Sequence, residues 1–419
     1  MVPIRVEAGF RVPGQADCGM SDAGPDRKVA GVTTPPVPPS AEQIGLFAFH
    51  VASQMSGAVT AAMIHLGDRL GLYRALDAAG GPLTSGELAA ATGLVERWVR
   101  EWAYNQAAAG LLVADTGGTG GTSDGDDGDT GGDDGSGADT RAAGERFSLA
   151  PEAAPVLADE GHDMFLAGMF HQFPQTMARL DELPDSFRTG IGHDYDSYGP
   201  EAAVGIERGF GSWIAAHLVA DVLARLDGVV DRLTAGTAVA DVGCGTGGAV
   251  LEMARAFPAS RFAGYDISQH ALARAAERLA GSGLGNVAFH DPRREPLPAD
   301  GSLGLVTTFD CLHDMTDPGA AAASIRRALA DDGTWLLADI KAYDTFAENV
   351  ERNPMAAMMY GTSVLTCMAS ALSEPGGAGL GTLGLSAARA ESMARGAGFT
   401  RFRRVGVDHP VNAFYEIRP

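Results

Sequence analysis

The sequence predicts an α/β chain whose back half is a doubly wound, mostly parallel sheet and whose front is mostly helical. Three observations predict it. From residue 236 to 419, short apolar runs ("TAVADVG", "RFAGYDIS", "VAFHD", "LGLVTTFD", "TWLLADI") alternate with helical stretches such as "GAVLEMARAF" and "HALARAAERLAGSG". Apolar strands alternating with helices form a parallel sheet covered on both faces. The turn "VADVGCGTGGAV" (239–250) joins the first strand to its helix through closely spaced glycines. The last two runs, "RFRRVGV" and "NAFYEIR", have no helix between them, so they predict an antiparallel edge hairpin.

The front divides by composition. Residues 1–40 are rich in Pro, Gly and Asp and end in "TTPPVPPS", the pattern of a disordered tail. Ser40 is placed to cap the helix beginning "AEQIGLFAFHVASQ". "TSGELAAAT" and "VERWVREWAYNQAAAGLL", joined at "TGLVE", read as a helix-turn-helix, with Thr84 or Ser85 and then Glu87 marking its start. "LLVAD" and "ERFSLA" read as wing strands, so 41–150 predicts a winged-helix domain. Between them, residues 116–140 are almost purely Gly, Asp, Thr and Ser. Asp–Gly alternation supplies the oxygen ligands calcium uses, but the closing Glu and spacing of an EF-hand are missing. A disordered insertion at the wing tip is the expectation. A helical connector fills 151–235, broken by "RTGIGHDYDSYGP" (188–200), and the sheet domain fills 236–419.

Bulk properties exclude several classes. The 419 residues carry 53 Asp and Glu against 31 Lys and Arg, a formal net charge of -22. Nucleic-acid partners and anionic membranes select the opposite sign. The four cysteines (Cys18, Cys244, Cys311, Cys367) are scattered and form no CxxC pair, which suggests neither a structural zinc site nor a disulfide framework. No unbroken apolar run approaches the roughly 18 residues of a membrane span. A soluble cytoplasmic protein is expected.

The glycine turn decides which nucleotide the sheet would take. Gly243, Gly245 and Gly248 satisfy G-x-G-x-x-G, a dinucleotide fingerprint. Yet Asp241 stands two residues before the first glycine, where it would repel a pyrophosphate. S-adenosylmethionine (SAM) has no phosphate, and its ammonium favours a nearby anion. Acids also end the next strands: Asp266, Asp291 and Asp310. The segment 236–419 resembles the Rossmann-like class I SAM-dependent methyltransferase fold, with "DVGCGTG" similar to its first motif and "YDIS" to its second. The resemblance implies that Asp241, Gly243, Gly245 and Gly247 surround the methionine end of SAM. It implies that Asp266 takes the ribose hydroxyls and Asp291 the adenine amino group. Asp266 lies 21 residues beyond Gly245 on the neighbouring strand end, and a carboxylate can accept two hydroxyl protons. With the front, the chain resembles small-molecule O-methyltransferases, whose winged-helix domain dimerises, and actinobacterial winged-helix methyltransferases. "NPMAAMMYGTSVLTCMASALSEPGGAGLGTLG" is similar to the lid segment of the latter. A homodimer through the helical N-terminal domain is the implied partner.

"TFDCLHDMTDP" (308–318) holds the candidate chemistry. Asp317-Pro318 reads as an N-cap followed by Pro at N1. Asp310 ends the fourth strand beside the expected donor, in an orienting position. His313 sits between strand and cap, at the end of the sheet where open α/β folds bind ligands. "LHDMTD" resembles the His-Asp pattern that supplies the general base in plant-type O-methyltransferases. By that resemblance His313 is the candidate base for an acceptor hydroxyl, and Asp314 a candidate to orient it. Glu348 and Glu351 are candidate later partner acids. His193, Tyr195 and Tyr198 are candidates to line the acceptor pocket.

The expected function is SAM-dependent methylation of a small molecule, at a hydroxyl, without a metal. A SAM-sensing DNA-binding regulator is the alternative. Its recognition helix would offer Arg97 and Arg100, flanked by Glu96 and Glu101.

Overall fold

A computed structural model describes residues 38–115 and 144–419. The insertion at 116–140 and the expected tail up to residue 37 lie outside the described residues. The chain divides into two units after Ser53, within the first helix, α1 (Ala41–Arg69). At its start the Ser40 amide donates to Gln43 Oε1 (2.8 Å) and the Gln43 amide donates to Ser40 Oγ (3.2 Å). That reciprocal pair satisfies two amides that the helix leaves open. From Gln43 to Gly67 the helix contains no Asp, Glu, Lys or Arg. By length and composition it is apolar enough to cross a membrane. This corrects the expectation that no stretch approaches a span. The scattered Ser, Gln, Thr, His and Gly break up the apolar run without adding charge.

From Gln54 onward the winged helix forms as its sequence signals predict. It comprises α2 (Leu72–Ala79), β1 (Leu83–Thr84), α3 (Ser85–Thr92), α4 (Glu96–Ala108), β2 (Val113–Asp115) and β3 (Arg146–Ser148). Thr84 and Glu87 make a full capping box at α3. The strands pair antiparallel in the order β1-β3-β2. Leu72, Tyr73, Leu88, Val99, Trp102 and Phe147 fill its core. The two tryptophans of α4 split: Trp102 is buried and donates to the Met63 carbonyl (2.9 Å), while Trp98 is 79% exposed. Arg97 pairs with Glu101, and Arg100 makes a two-pronged pair with Glu96. Both arginines of the expected recognition helix are therefore neutralised in place.

The back sheet has seven strands: β4 (Ala238–Val242), β5 (Arg261–Tyr265), β6 (Val287–His290), β7 (Leu303–Phe309), β8 (Leu329–Ile340), β9 (Arg401–Val405) and β10 (Asn412–Arg418). Their order is β6-β5-β4-β7-β8-β10-β9. The first five are parallel, and β10 runs antiparallel to both β8 and β9. Alternate residues feed opposite faces, as the two-residue period of a strand requires. Val239, Leu305, Leu336 and Phe414 enter one core. Ala240, Val306, Leu337 and Tyr415 enter the other. The chain runs outward through β5 and β6, then returns to β7 on the other side of β4. That reversal opens a crevice beyond the carboxyl ends of β4 and β7, where ligands of open α/β sheets bind.

Candidate active site

The turn after β4 is built by steric demand. Gly243 has φ 72°, and a Cβ there would lie 2.6 Å from Cys311 Sγ. Gly245 (φ 53°) differs: a Cβ there would meet nothing within 4 Å. Its left-handed backbone requires glycine, and the space above it is open. Gly247 caps the helix Gly248–Ala256 and lies against the Phe289 ring. Gly248, the third glycine of the fingerprint, is merely the first residue of that helix.

The expected acids gather at this end, in different states. Asp241 is buried and accepts the Thr307 hydroxyl (2.6 Å). Burial pushes its carboxyl up to about 7, with Thr307 opposing and Asp266 adding repulsion. Asp266 accepts the Gly245 amide through Oδ2 and the Ser268 amide through Oδ1, both at 2.8 Å. Each oxygen keeps a further lone pair, so pinning the glycine loop and accepting ribose hydroxyls are compatible. Asp291 is clamped by Arg293, which holds its carboxyl down at about 2, and it also accepts from Gln269 Nε2 (3.1 Å). Asp196, from the connector, was missed by the sequence reading. It accepts Ser268 Oγ (2.5 Å) and the Gln269 amide (3.0 Å) at the start of the helix after β5. Nothing in its local sequence distinguishes it from Asp194, which caps the turn Tyr195–Tyr198.

Asp310 is the only non-glycine with positive φ (48°) among the described residues. Strained backbone of this kind concentrates at functional sites. Its carboxylate accepts the Asn412 side-chain amide. Burial, with the Asp339 charge behind it, pushes it up to about 8.

His313 is 2% exposed, in a turn directly after β7 (Leu312–Asp314). Its Nδ1 lies 2.5 Å from Asp339 Oδ1, near the end of β8. The partner acid is therefore Asp339. The candidates Glu348 and Glu351 are not partners. Glu348 closes a capping box with Thr345, and Glu351 is exposed. Asp314 does not orient the ring either. It lies near the ring without a hydrogen bond to it and accepts the Tyr195 hydroxyl (2.6 Å). Parallel β7 and β8 end side by side and bring His313 to Asp339. Burial disfavours charge on His313, but the Asp339 carboxylate overcomes it and holds the imidazole well above its ordinary range. Burial, opposed by His313 and Tyr195, pushes Asp314 up to about 7. Asp317 caps the helix Pro318–Ala328 as expected, through the Ala320 amide (2.8 Å).

The lid closes over this turn. It contains the helix Ala356–Thr362, a wide π-helical turn Ser363–Cys367 and the short helix Met368–Ala371. The amides of Ala378 and Gly381 donate to the carbonyls of Thr316 and His313. The connector loop clasps it from the other side: the Gly192 amide donates to Leu372 O, and the Tyr198 hydroxyl to Leu365 O. His193 stands in the same loop, and its Nε2 is buried without a partner. The Met-rich run divides: Met359 is buried and Met358 is 49% exposed. An apolar groove of about 750 Å³ runs beside the lid, lined by Leu180, Leu183, Phe187, Gly361, Val364 and Leu365.

A glycine loop with room above it, acids at successive strand ends and a lid over a buried His–Asp pair define the class: a SAM-dependent methyltransferase. Known proteins agree. Residues 233–398 match the family described as a methyltransferase domain, and residues 58–116 match the Rv2258c-like winged helix-turn-helix domain. The chain thus joins a methyltransferase domain to an N-terminal Rv2258c-like winged helix. Human N-acetylserotonin methyltransferase in complex with SAM is similar in fold, with 16% identity and a TM-score of 0.60 over 88% of this chain and 97% of that one. Mitomycin 7-O-methyltransferase MmcR is similar at 20% identity and a TM-score of 0.59, over 90% and 99%. CalO1, a methyltransferase of calicheamicin biosynthesis in its SAH-bound form, is similar at 19% identity and a TM-score of 0.58, over 91% and 100%. Among curated proteins, polyketide synthase ThaQ of Burkholderia thailandensis is 33% identical over 107 residues. That stretch is 25% of this chain but 5% of ThaQ.

Proposed function

We propose that the protein methylates a hydroxyl group of a small molecule, with His313 taking the hydroxyl proton and Asp339 holding the imidazole. The observation that carries this reading is the buried His313–Asp339 pair at the carboxyl end of the sheet, beside the glycine loop's strand. When bound, SAM supplies a methyl group on a positively charged sulfur. Open space at Gly245 and spare lone pairs on Asp266 fit that ligand. Asp241 and Asp310, whose charge burial disfavours, would gain a compensating cation.

The residues of the acceptor end do the rest. A protonated hydroxyl is a poor nucleophile, so a base must take its proton as the carbon–oxygen bond forms. Asp339 fixes Nδ1 as the donor nitrogen; because the same carboxylate favours the imidazolium, His313 must first give up its Nε2 proton before that nitrogen can take the hydroxyl's. The carboxylate then stabilises the imidazolium that results. The lid and the clasping connector loop exclude water and hold the acceptor, and positioning supplies much of the rate. The similarity in fold to MmcR and N-acetylserotonin methyltransferase supports a small molecule as the acceptor. The apolar groove beside the lid suits such a body. A homodimer through the helical front is part of the same reading, supported by exposed Val95 and Trp98 on that domain.

The test is a turnover screen with SAM over phenols and other hydroxylated ring compounds, read by mass spectrometry as replacement of one hydrogen by methyl. Phenolic methyl ethers as products support the reading. Methylation confined to nitrogen or carbon acceptors would overturn it.

A further inference from the structure

The lid places a thiol over the base. Donor atoms of His313, Asp314 and Cys367 all lie within 4.8 Å of one another, and all three residues are buried. Each side chain has one hydrogen-bond partner, Asp339, Tyr195 and Thr366 in turn, and the three face one another across the same buried space. We propose that these three residues form a binding site for a thiophilic divalent cation of the zinc class, with the fourth position open to water.

The donor set selects the ion. Mixed nitrogen, oxygen and sulfur ligands suit zinc and its borderline neighbours, whereas magnesium and calcium take oxygen alone. Zinc bonds of about 2.0–2.3 Å put tetrahedral ligand atoms roughly 3.5 Å apart, so side-chain shifts of about 1 Å close the ring. The outer shell is already in place. Metal-binding histidines normally give their other ring nitrogen to a carboxylate, which fixes the ring and raises its basicity. Asp339 does this at His313 Nδ1, leaving Nε2 for the ion. Tyr195 donates to Asp314 Oδ2, leaving Oδ1 as ligand. The Cys367 Sγ lies 3.6 Å from the Thr366 hydroxyl oxygen, whose own proton goes to the Thr362 carbonyl (2.9 Å). Binding releases to solvent the Cys367 thiol proton, the Nε2 proton of the imidazolium that Asp339 favours, and any proton on Asp314, leaving His313 neutral. The ion takes the Nε2 lone pair that general-base catalysis uses. Metal occupancy therefore stops methyl transfer, a consequence that rests on the His313 reading above.

The test uses the reduced, chelator-stripped, full-length chain and cobalt(II) as the probe. One equivalent gives sulfur-to-cobalt charge-transfer absorption and the intense visible bands of a tetrahedral site, both removed by added zinc. Cys367→Ser abolishes the charge-transfer band. Asp339→Asn keeps the band and weakens cobalt binding about 10–100-fold, the usual effect of an outer-shell partner. Circular dichroism and melting check that each variant folds. Should Cys367→Ser not fold, Asp314→Asn decides, with a tenfold or greater loss of cobalt affinity expected. A folded parent chain without the charge-transfer band overturns the site, as does a band unchanged in Cys367→Ser. The two readings fail separately. A cobalt site that leaves turnover unaffected keeps the metal and removes His313 as base. Absence of a cobalt site, with slow turnover in His313→Asn, does the reverse.

Discussion

The carboxyl end of the sheet contains two half-sites built in different ways. On one side, Asp241, the glycine loop and Asp266 lie within 26 residues, and backbone geometry assembles them. On the other, Tyr195, His313, Asp339 and Cys367 are spread over 173 residues and meet only through tertiary structure. The first half is a local device whose form depends on φ angles and close approach. The second is a pocket whose residues have meaning only in each other's company. The difference separates binding the methyl donor from using it.

That separation can be broken by substitution, and the largest effect belongs to the acceptor side. His313→Asn is expected to lower turnover by about 10²–10⁴-fold, the share of a positioned base. SAM affinity should change little, because no contact to the glycine loop is lost. Stopped-time assays and calorimetry on the same preparation check both. Asp339→Asn should lower kcat less, by about 10–10²-fold, with KM for the acceptor nearly unchanged, because it acts through His313. A loss of acceptor KM instead would give Asp339 a binding role.

On the donor side the order reverses. Asp266→Asn should raise the SAM dissociation constant about ten- to hundredfold, or about 1.5–3 kcal/mol for a charged hydrogen-bond acceptor. Turnover at saturating SAM should hold. Part of the loss belongs to the Gly245 amide, which would then have only a neutral acceptor.

A smaller effect separates stability from function at Asp241. Its folded-state value of about 7 exceeds the unfolded 3.8, so the folded chain holds this proton more tightly. Stability from this group is therefore full at low pH and declines as pH rises from about 4 to 7. Asp241→Asn removes the decline and should stabilise the ligand-free chain at pH 8 by about 1–3 kcal/mol, while weakening SAM. Denaturant melts across that range check it. A wild-type slope that persists in the variant would assign the proton to another acid.

The smallest effect lies outside the site. His217 bridges Asp221 and Asp163 at 2.6 and 2.7 Å, and these bonds raise its pKa. Its contribution is full below the ordinary histidine value of about 6.5 and fades as pH rises through the raised one. His217→Gln should remove that slight alkaline loss, which the melting temperature would register.

The same contrast explains how much the sequence disclosed. Strand–helix alternation, the Thr84 and Asp317 caps and the edge hairpin are written in neighbouring residues, and all three are present. Gly243 and Gly245 were legible because few residues tolerate their backbone. Asp339 was not. It sits inside "WLLADI", an apolar strand, where an acid reads as the ordinary end of a strand. Only the pairing of β7 with β8 turns it toward His313. Asp314 was misread for the converse reason: it does lie beside His313, but its hydrogen bond goes to Tyr195 and the ring is held by Asp339. Tyr195 was recognisable as a pocket candidate, but its partner lies 119 residues away. Asp196 carried no local signal at all.

The most direct test of the central claim varies the acceptor instead of the enzyme's pH. Once an acceptor scaffold is found, a series of ring-substituted analogues with falling hydroxyl pKa is assayed with wild type and His313→Asn at one pH. If His313 removes the proton, the wild-type advantage is largest for the least acidic hydroxyl. It shrinks toward one for acceptors already ionised in solution. A ratio that stays constant across the series would contradict the account and leave the buried pair a structural contact.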